Sequence, residues 1–190
     1  MLPPRPTRSI RVGRLVLGGD APIAVQSMAA TPTRDRAATL RQIRLLEAAR
    51  ADLIRIAVDH REDVAALEWL RGETDAVLSV DLQESYRLAE QVGRHVDKIR
   101  YNPGHLHHHD KELPVERKVA WLVDVAKAEN CALRIGINAG SIAPEYRERF
   151  PDDHVAAIVQ CAVDHCAMVD ACARMRRVLE APAAGGEVDR

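Results

Sequence analysis

Leu53-Ile54-Arg55-Ile56-Ala57-Val58, LIRIAV, is the stretch that decides how this chain folds. Its six residues are too few for a stable helix. The near-continuous aliphatic run suits a strand buried on both faces. Four further runs share the pattern: IAVQSM (Ile23 to Met28), AVLSVD (Ala76 to Asp81), KIRYN (Lys98 to Asn102) and ALRIGIN (Ala132 to Asn138). Their starts fall roughly 20 to 35 residues apart, the length of a strand-plus-helix repeat. The segments between them carry helical spacing. Val115, Val119, Leu122, Val123 and Ala126 form one apolar stripe; Val155, Ile158, Val159, Ala162, Val163 and Cys166 form another. Pro151, Asp152 and Asp153 give the last helix an acidic start, which suits the helix dipole.

Strand and helix in alternation imply a parallel sheet, either doubly wound or closed into a barrel. A dinucleotide-binding sheet needs a glycine fingerprint after its first strand. Here that strand runs into SMAATPTRD, and Gly18-Gly19 comes before it. The barrel reading is therefore favoured. A complete (β/α) barrel has eight units in about 250 residues, and this chain offers about five. The fold class expected is α/β, an incomplete TIM-type (β/α) barrel. A short hairpin over Ser9 to Gly19, turning at Gly13-Arg14, precedes it and could plug one end. Residues 1–180 are expected to form the partial barrel and 181–190 a disordered tail.

The 190 residues carry a net charge of −1, without the basic excess of a general nucleic-acid binder. No nucleic-acid partner is expected. At 3% aromatic residues, the core must be aliphatic. MLPPRPTRSIRVGR lacks the apolar segment of a secretory signal, and no apolar stretch is expected to approach the roughly 18 residues of a membrane helix. No membrane association and a cytoplasmic location are expected. Cys131, Cys161, Cys166 and Cys172 have no framework-like spacing, and free thiols suit a reducing compartment.

Residues two apart on a strand share a face. Arg55 lies inside LIRIAV; Arg100 and Asn102 share a face of KIRYN; Arg134, Gly136 and Asn138 share a face of ALRIGIN; Asp81 and Gln83 share a face at the end of the third strand. Three strands of five thus set an arginine in an apolar run. A buried guanidinium needs a partner, and Asp81 can neutralise only one of the three. An internal ion-pair network would explain any single arginine. Three together, with asparagines at the strand ends where barrel active sites form, favour an anionic ligand, best a phosphate or diphosphate gripped by planar guanidinium forks. Gln26 and Ser27 end the first strand as possible donors. Asn102-Pro103-Gly104 and Asn138-Ala139-Gly140-Ser141 are turns that let backbone N–H groups approach a ligand. His105, His107, His108 and His109 invite a metal reading, but a solvated loop is favoured. The cysteines match no common cluster or zinc spacing, and buried structural thiols are favoured instead.

APIAVQSM (Ala21 to Met28), ADLIRIAV (Ala51 to Val58), VDLQESYR (Val80 to Arg87), DKIRYNPG (Asp97 to Gly104) and LRIGINAGS (Leu133 to Ser141) stand in one order. With these five motifs the chain resembles the 4-hydroxy-3-methylbut-2-enyl diphosphate synthases of the non-mevalonate isoprenoid pathway, over roughly Arg8 to Ser141. The resemblance implies an iron–sulfur oxidoreductase acting on 2-C-methyl-D-erythritol 2,4-cyclodiphosphate, whose ring it opens reductively while removing a hydroxyl. It implies a 4Fe-4S cluster on three cysteines and a glutamate of a separate C-terminal domain, with flavodoxin or ferredoxin as electron donor. It also implies a homo-oligomer in which one subunit's cluster closes over its partner's barrel. By motif position Arg55, Arg100 and Arg134 are diphosphate ligands, and Asp81, Gln83, Asn102 and Asn138 are polar groups around the substrate. No catalytic residue is assigned. Two departures stand out. Gln83 replaces the histidine of the family's ADIHF; it can hydrogen-bond but cannot carry a proton. The cluster ligands are not found within these residues, nor are three further strands. The chain is accordingly expected to be inactive alone, completed by a missing segment or a second polypeptide, and to occur as a homo-oligomer or with a complementing chain. The alternatives are a truncated, non-catalytic diphosphate-binding module or another phosphate-binding barrel enzyme.

Overall fold

The computed structural model describes residues 6–180, with side chains as far as residue 172. The tail expected at 181–190 lies outside the described residues. The elements alternate as the sequence requires. A hairpin, β1 (Ile10–Val12) and β2 (Leu15–Leu17), comes first. Then follow β3 (Gln26–Met28), α1 (Arg36–Ala48), β4 (Leu53–Val58), α2 (Arg61–Glu73), β5 (Leu78–Leu82), α3 (Ala89–Gly93), β6 (Lys98–Tyr101), α4 (Val115–Ala128), β7 (Ala132–Ile135), α5 (Pro144–Arg149) and α6 (His154–Glu180). Strands β3 to β7 make one parallel sheet in chain order, open at β3 and β7. Together these form an α/β arrangement with five strands of an unclosed barrel.

Parity sorts the two faces. Ile54, Ile56, Val58, Leu78, Val80, Leu82, Ile99 and Tyr101 are buried in one cluster with helix residues such as Ile43, Leu67, Leu70, Val119 and Leu122. Each such side chain contributes roughly 1.5–3 kcal/mol by leaving water. Leu53 and Val77, of opposite parity, pack with Val12, Leu15, Leu17 and Ala132. The hairpin thus covers the N-terminal ends of the strands, as a plug would. Arg14 donates to the Asp75 carbonyl at 2.6 Å. Gly13 turns with φ 56° against the Asp97 side chain, a space and a conformation that only glycine fits.

Strand limits differ from the sequence reading for local reasons. The first strand is three residues long, and Ile23 is 93% exposed. Pro22 has no N–H for the ladder, and the Val25 N–H goes to the Asp52 carboxylate at 2.8 Å. KIRYN ends at Tyr101 because the Asn102 side chain caps the 3-10 turn Pro103–His107, accepting from Gly104 N–H at 3.0 Å.

The long helix α6 corrects two expectations. Of its sequence stripe, Val155, Val159, Val163 and Cys166 are exposed; Ala157, Cys161 and His165 are buried instead. The buried set lies two positions on, about 200° round the helix. Both sides of α6 are rich in small and apolar residues, so periodicity could not choose between them. Packing does: Cys161 and Ala157 meet Ile142, Ala143 and Tyr146, and His165 bonds Tyr101 at 3.2 Å. The span His154–Cys172 is also long and apolar enough to cross a membrane, with mean hydropathy 1.4, although two aspartates and two histidines interrupt it.

Candidate anion-binding site

The sheet face turned away from the helices changes character along the strands. Above the apolar layer of Leu53 and Val77, register sets Met28, Arg55, Ser79 and Lys98 in neighbouring positions, with Ala132 beside Lys98 on the edge strand. One step further along lie Asp81, Arg100 and Arg134. All three expected arginines therefore share one face.

Asp81, 5% exposed, sits between two of them. It accepts from Arg100 at 2.7 Å and lies 3.7 Å from Arg55 Nε. One carboxylate thus serves two guanidinium groups. Arg100 also donates to the Gly136 carbonyl at 3.0 Å. A Cβ at position 136 would stand 2.6 Å from Arg100 Cζ, so the guanidinium lies where only glycine allows. Arg55 completes its contacts with the Met28 sulfur at 2.8 and 3.1 Å, a weak acceptor. Arg134 is exposed on the open edge strand and takes no carboxylate among the described residues.

The other candidates divide. Asn102 is buried: its amide donates to Ser141 Oγ at 2.7 Å and caps Gly104, tying two strand-end turns together. Gly104 permits that tie, since a Cβ there would fall on the Ser141 carbonyl oxygen. Asn138 is exposed and opens the turn Ala139–Ser141. Gln83 is half-buried; its carbonyl accepts from His105 Nδ1, and its side-chain amide makes no hydrogen bond among the described residues. Gln26 is engaged by Lys98.

The histidine run is paired rather than simply solvated. His108 bonds Glu84 at 2.6 Å, and that bond holds the Glu84 carboxyl below its ordinary range. The His105 and His108 rings stack at 5.3 Å. No group of three His, Cys, Asp or Glu among the described residues is arranged to hold a metal. The cysteines do not fit a cluster either. Burial pushes Cys131 up to about 12 and Cys161 up to about 11, so both stay protonated, and Cys131 bonds the Gly93 and Val96 carbonyls.

Sequence reasoning passed over two residues on this face. Lys98 is 5% exposed and donates to Gln26 Oε1 at 2.7 Å. Burial first, then Arg134 and Arg55, pull its ammonium down to about 8. Asp59, just past β4 in the parity of Arg55, has a buried Oδ1 with no hydrogen-bond partner. Burial, then Asp63, raises its carboxyl. Strand parity was the available signal for both.

Residues 7–179 match the family of the GcpE TIM-barrel domain. The chain is 49% identical, over 166 residues, to the 4-hydroxy-3-methylbut-2-en-1-yl diphosphate synthase (flavodoxin) of Rhodopirellula baltica, a match covering 87% of this chain and 44% of that protein. It is 40% identical to the protein of the same name from Acidithiobacillus ferrooxidans, with 87% and 44% covered, and 37% identical to that of Actinobacillus succinogenes, with 87% and 43% covered. The chain spans less than half the length of these relatives.

Proposed function

The chain belongs to the GcpE TIM-barrel family, and on that premise we propose that it carries the diphosphate-binding part of a synthase that converts 2-C-methyl-D-erythritol 2,4-cyclodiphosphate to 4-hydroxy-3-methylbut-2-enyl diphosphate. One observation carries the reading: Arg55, Arg100, Arg134 and Lys98 share a face on which, among the described residues, Asp81 is the one carboxylate paired with them. Even with Asp59 counted beside Asp81, three guanidinium groups and an ammonium leave a positive excess on this face, which a diphosphate offsets with charge-assisted hydrogen bonds. Asp81 orients Arg55 and Arg100; the unengaged Gln83 amide and the exposed Asn138 stand at the same strand ends for the hydroxyl-bearing carbon skeleton.

A 4Fe-4S cluster, when bound, would supply electrons received from flavodoxin or ferredoxin. The described cysteines do not fit it. Binding without reduction is thus the part these strands play, with a complementing chain, in the cytoplasm, supplying the remainder.

Calorimetry with inorganic pyrophosphate tests the binding. The unmodified protein should bind, and Arg100→Ala should lose most of the affinity. Absence of heat and of any melting shift in the unmodified protein would leave an internal ion-pair network as the better account. Reconstitution with iron and sulfide, followed by an assay of cyclodiphosphate reduction, should give no turnover; turnover would overturn the division of labour.

A further inference from the structure

Among the described residues Lys98 has no counterion. Its ammonium carries three protons and is buried, yet the one hydrogen bond it makes goes to a neutral amide, Gln26 Oε1 on β3. The charged groups around it are known from every neighbouring strand. Arg55 on β4 and Arg134 on β7 oppose its charge. Arg100 lies two residues on along β6, in the same parity. Asp81 on β5, one step further along, is taken by Arg100 and Arg55. A buried cation among cations is tolerated only where something else answers it.

A second observation points to the same place. Ser79 lies between Arg55 and Lys98 in the register, is 0% exposed, and its Oγ has no hydrogen-bond partner. Buried hydroxyls are ordinarily satisfied. A structural Lys98–Gln26 pair would explain the lysine and leave Ser79 unexplained. An anionic oxygen reaching this layer accepts from both.

We propose that Lys98, with Ser79 and Gln26, forms the floor of the anion site, and that a bound diphosphate draws a proton onto Lys98 Nζ. The inference rests on the diphosphate reading above and adds to it a fourth cationic ligand and a proton linkage. The sign is set by charge. Before binding, burial and two arginines favour the neutral amine, so near pH 8 about half of the protein carries Lys98 uncharged. The anion reverses the local potential and restores the ammonium. Uptake is near zero at neutral pH, about half a proton at pH 8, and larger above it.

Pyrophosphate binding is measured by calorimetry at pH 8.5 in two buffers of different ionisation enthalpy, for the unmodified chain, Lys98→Met and Lys98→Arg. Pyrophosphate's own last proton contributes alike to all three, so differences report on Lys98. The unmodified chain should take up at least about half a proton more than either variant. Lys98→Met should bind about ten-fold more weakly at pH 7, a gap that closes as pH rises. Lys98→Arg, charged throughout, should hold its affinity at high pH, and it keeps the test alive if the methionine variant does not fold. Equal proton counts and equal affinities, with Arg100→Ala still abolishing binding, would overturn the inference and leave the site reading intact. Failure of the unmodified chain to bind pyrophosphate would overturn the site reading itself.

Discussion

Gly136 lies beneath the guanidinium of Arg100, close enough that a Cβ at 136 would overlap Nε and come within 2.6 Å of Cζ. Arg100 in turn bonds the Gly136 carbonyl. Gly136→Ala should therefore displace the end of a flexible side chain rather than the backbone. The expected result is a protein that keeps its fold at a modest cost in stability, smaller than that of removing Asp81, and binds pyrophosphate about ten-fold or more weakly, the loss of one charge-assisted contact. Urea titration beside calorimetry separates the two; unchanged affinity would mean that the guanidinium's present seat is not the binding one.

Asp81 links Arg100 at 2.7 Å and Arg55 at 3.7 Å. Asp81→Asn leaves two poorly hydrated guanidinium groups without their shared carboxylate, and stability should fall by roughly 3 kcal/mol. The same change makes the face more positive. Pyrophosphate should then raise the melting temperature by more than it does in the unmodified chain. Opposite signs for stability and ligand response are the mark of an electrostatic site; a fall in both would show Asp81 acting chiefly as a scaffold.

How far this was legible in the sequence varies along the chain. LIRIAV forms the strand read from it, because aliphatic residues on both faces leave a central strand no alternative. The arginines were found by the interruption they make in apolar runs. Lys98 stands in the parity of Arg100 and Asn102, but at the start of its run, where a lysine ordinarily reaches solvent; only the register against Ser79 and Gln26 shows it enclosed. The buried face of α6 was not legible, since Val155, Val159 and Val163 are as apolar as Ala157 and Cys161. The hydrogen bond from Tyr101 to His165 and the small α5 cluster settle its rotation. Strand parity places Asn102 beside Arg100, but its amide's bonds to Ser141 and Gly104 are contacts between turns that no strand pattern contains.

The unliganded chain should become more stable as pH rises through the range where Lys98 titrates. A lysine lowered from 10.5 to about 8 is held charged in the unfolded chain and neutral in the folded one between those values. The unfolded state binds the extra proton, so stability increases with pH there. The penalty is full below pH 8 and relieved towards pH 10.5, amounting to roughly 3 kcal/mol. Cys131 and Cys161 act the other way: their raised thiols stay protonated in the fold while the unfolded chain ionises above pH 9. Lys98→Met keeps the thiols and removes the lysine. The difference in urea midpoint between the two proteins should favour the methionine variant at pH 7 and shrink by pH 10. A difference independent of pH would put the lysine's charge elsewhere than in this enclosure.

The open edge at β7 should make the 190-residue chain self-associate. Ala132 N–H bonds Asp97 O and Gly136 N–H bonds Tyr101 O, each at 2.9 Å. By strand alternation the Leu133 and Ile135 N–H groups then point away from β6, with no neighbouring strand among the described residues. Unpaired edge donors are templates for pairing with another chain. β3, at the other side of the sheet, is three residues long and offers less. Hydrogen exchange across a dilution series, run beside light scattering, checks this directly. Protection at Leu133 and Ile135 should rise with protein concentration as the scattering mass rises, while the inward amide of Gly136 stays protected throughout. Exchange at Leu133 and Ile135 that ignores concentration, in a solution that does associate, would assign the contact to another surface, of which the exposed Val155, Val159 and Val163 face of α6 is the first to examine. A chain monomeric at every concentration would show that a single open edge of four residues is too short to recruit a second copy.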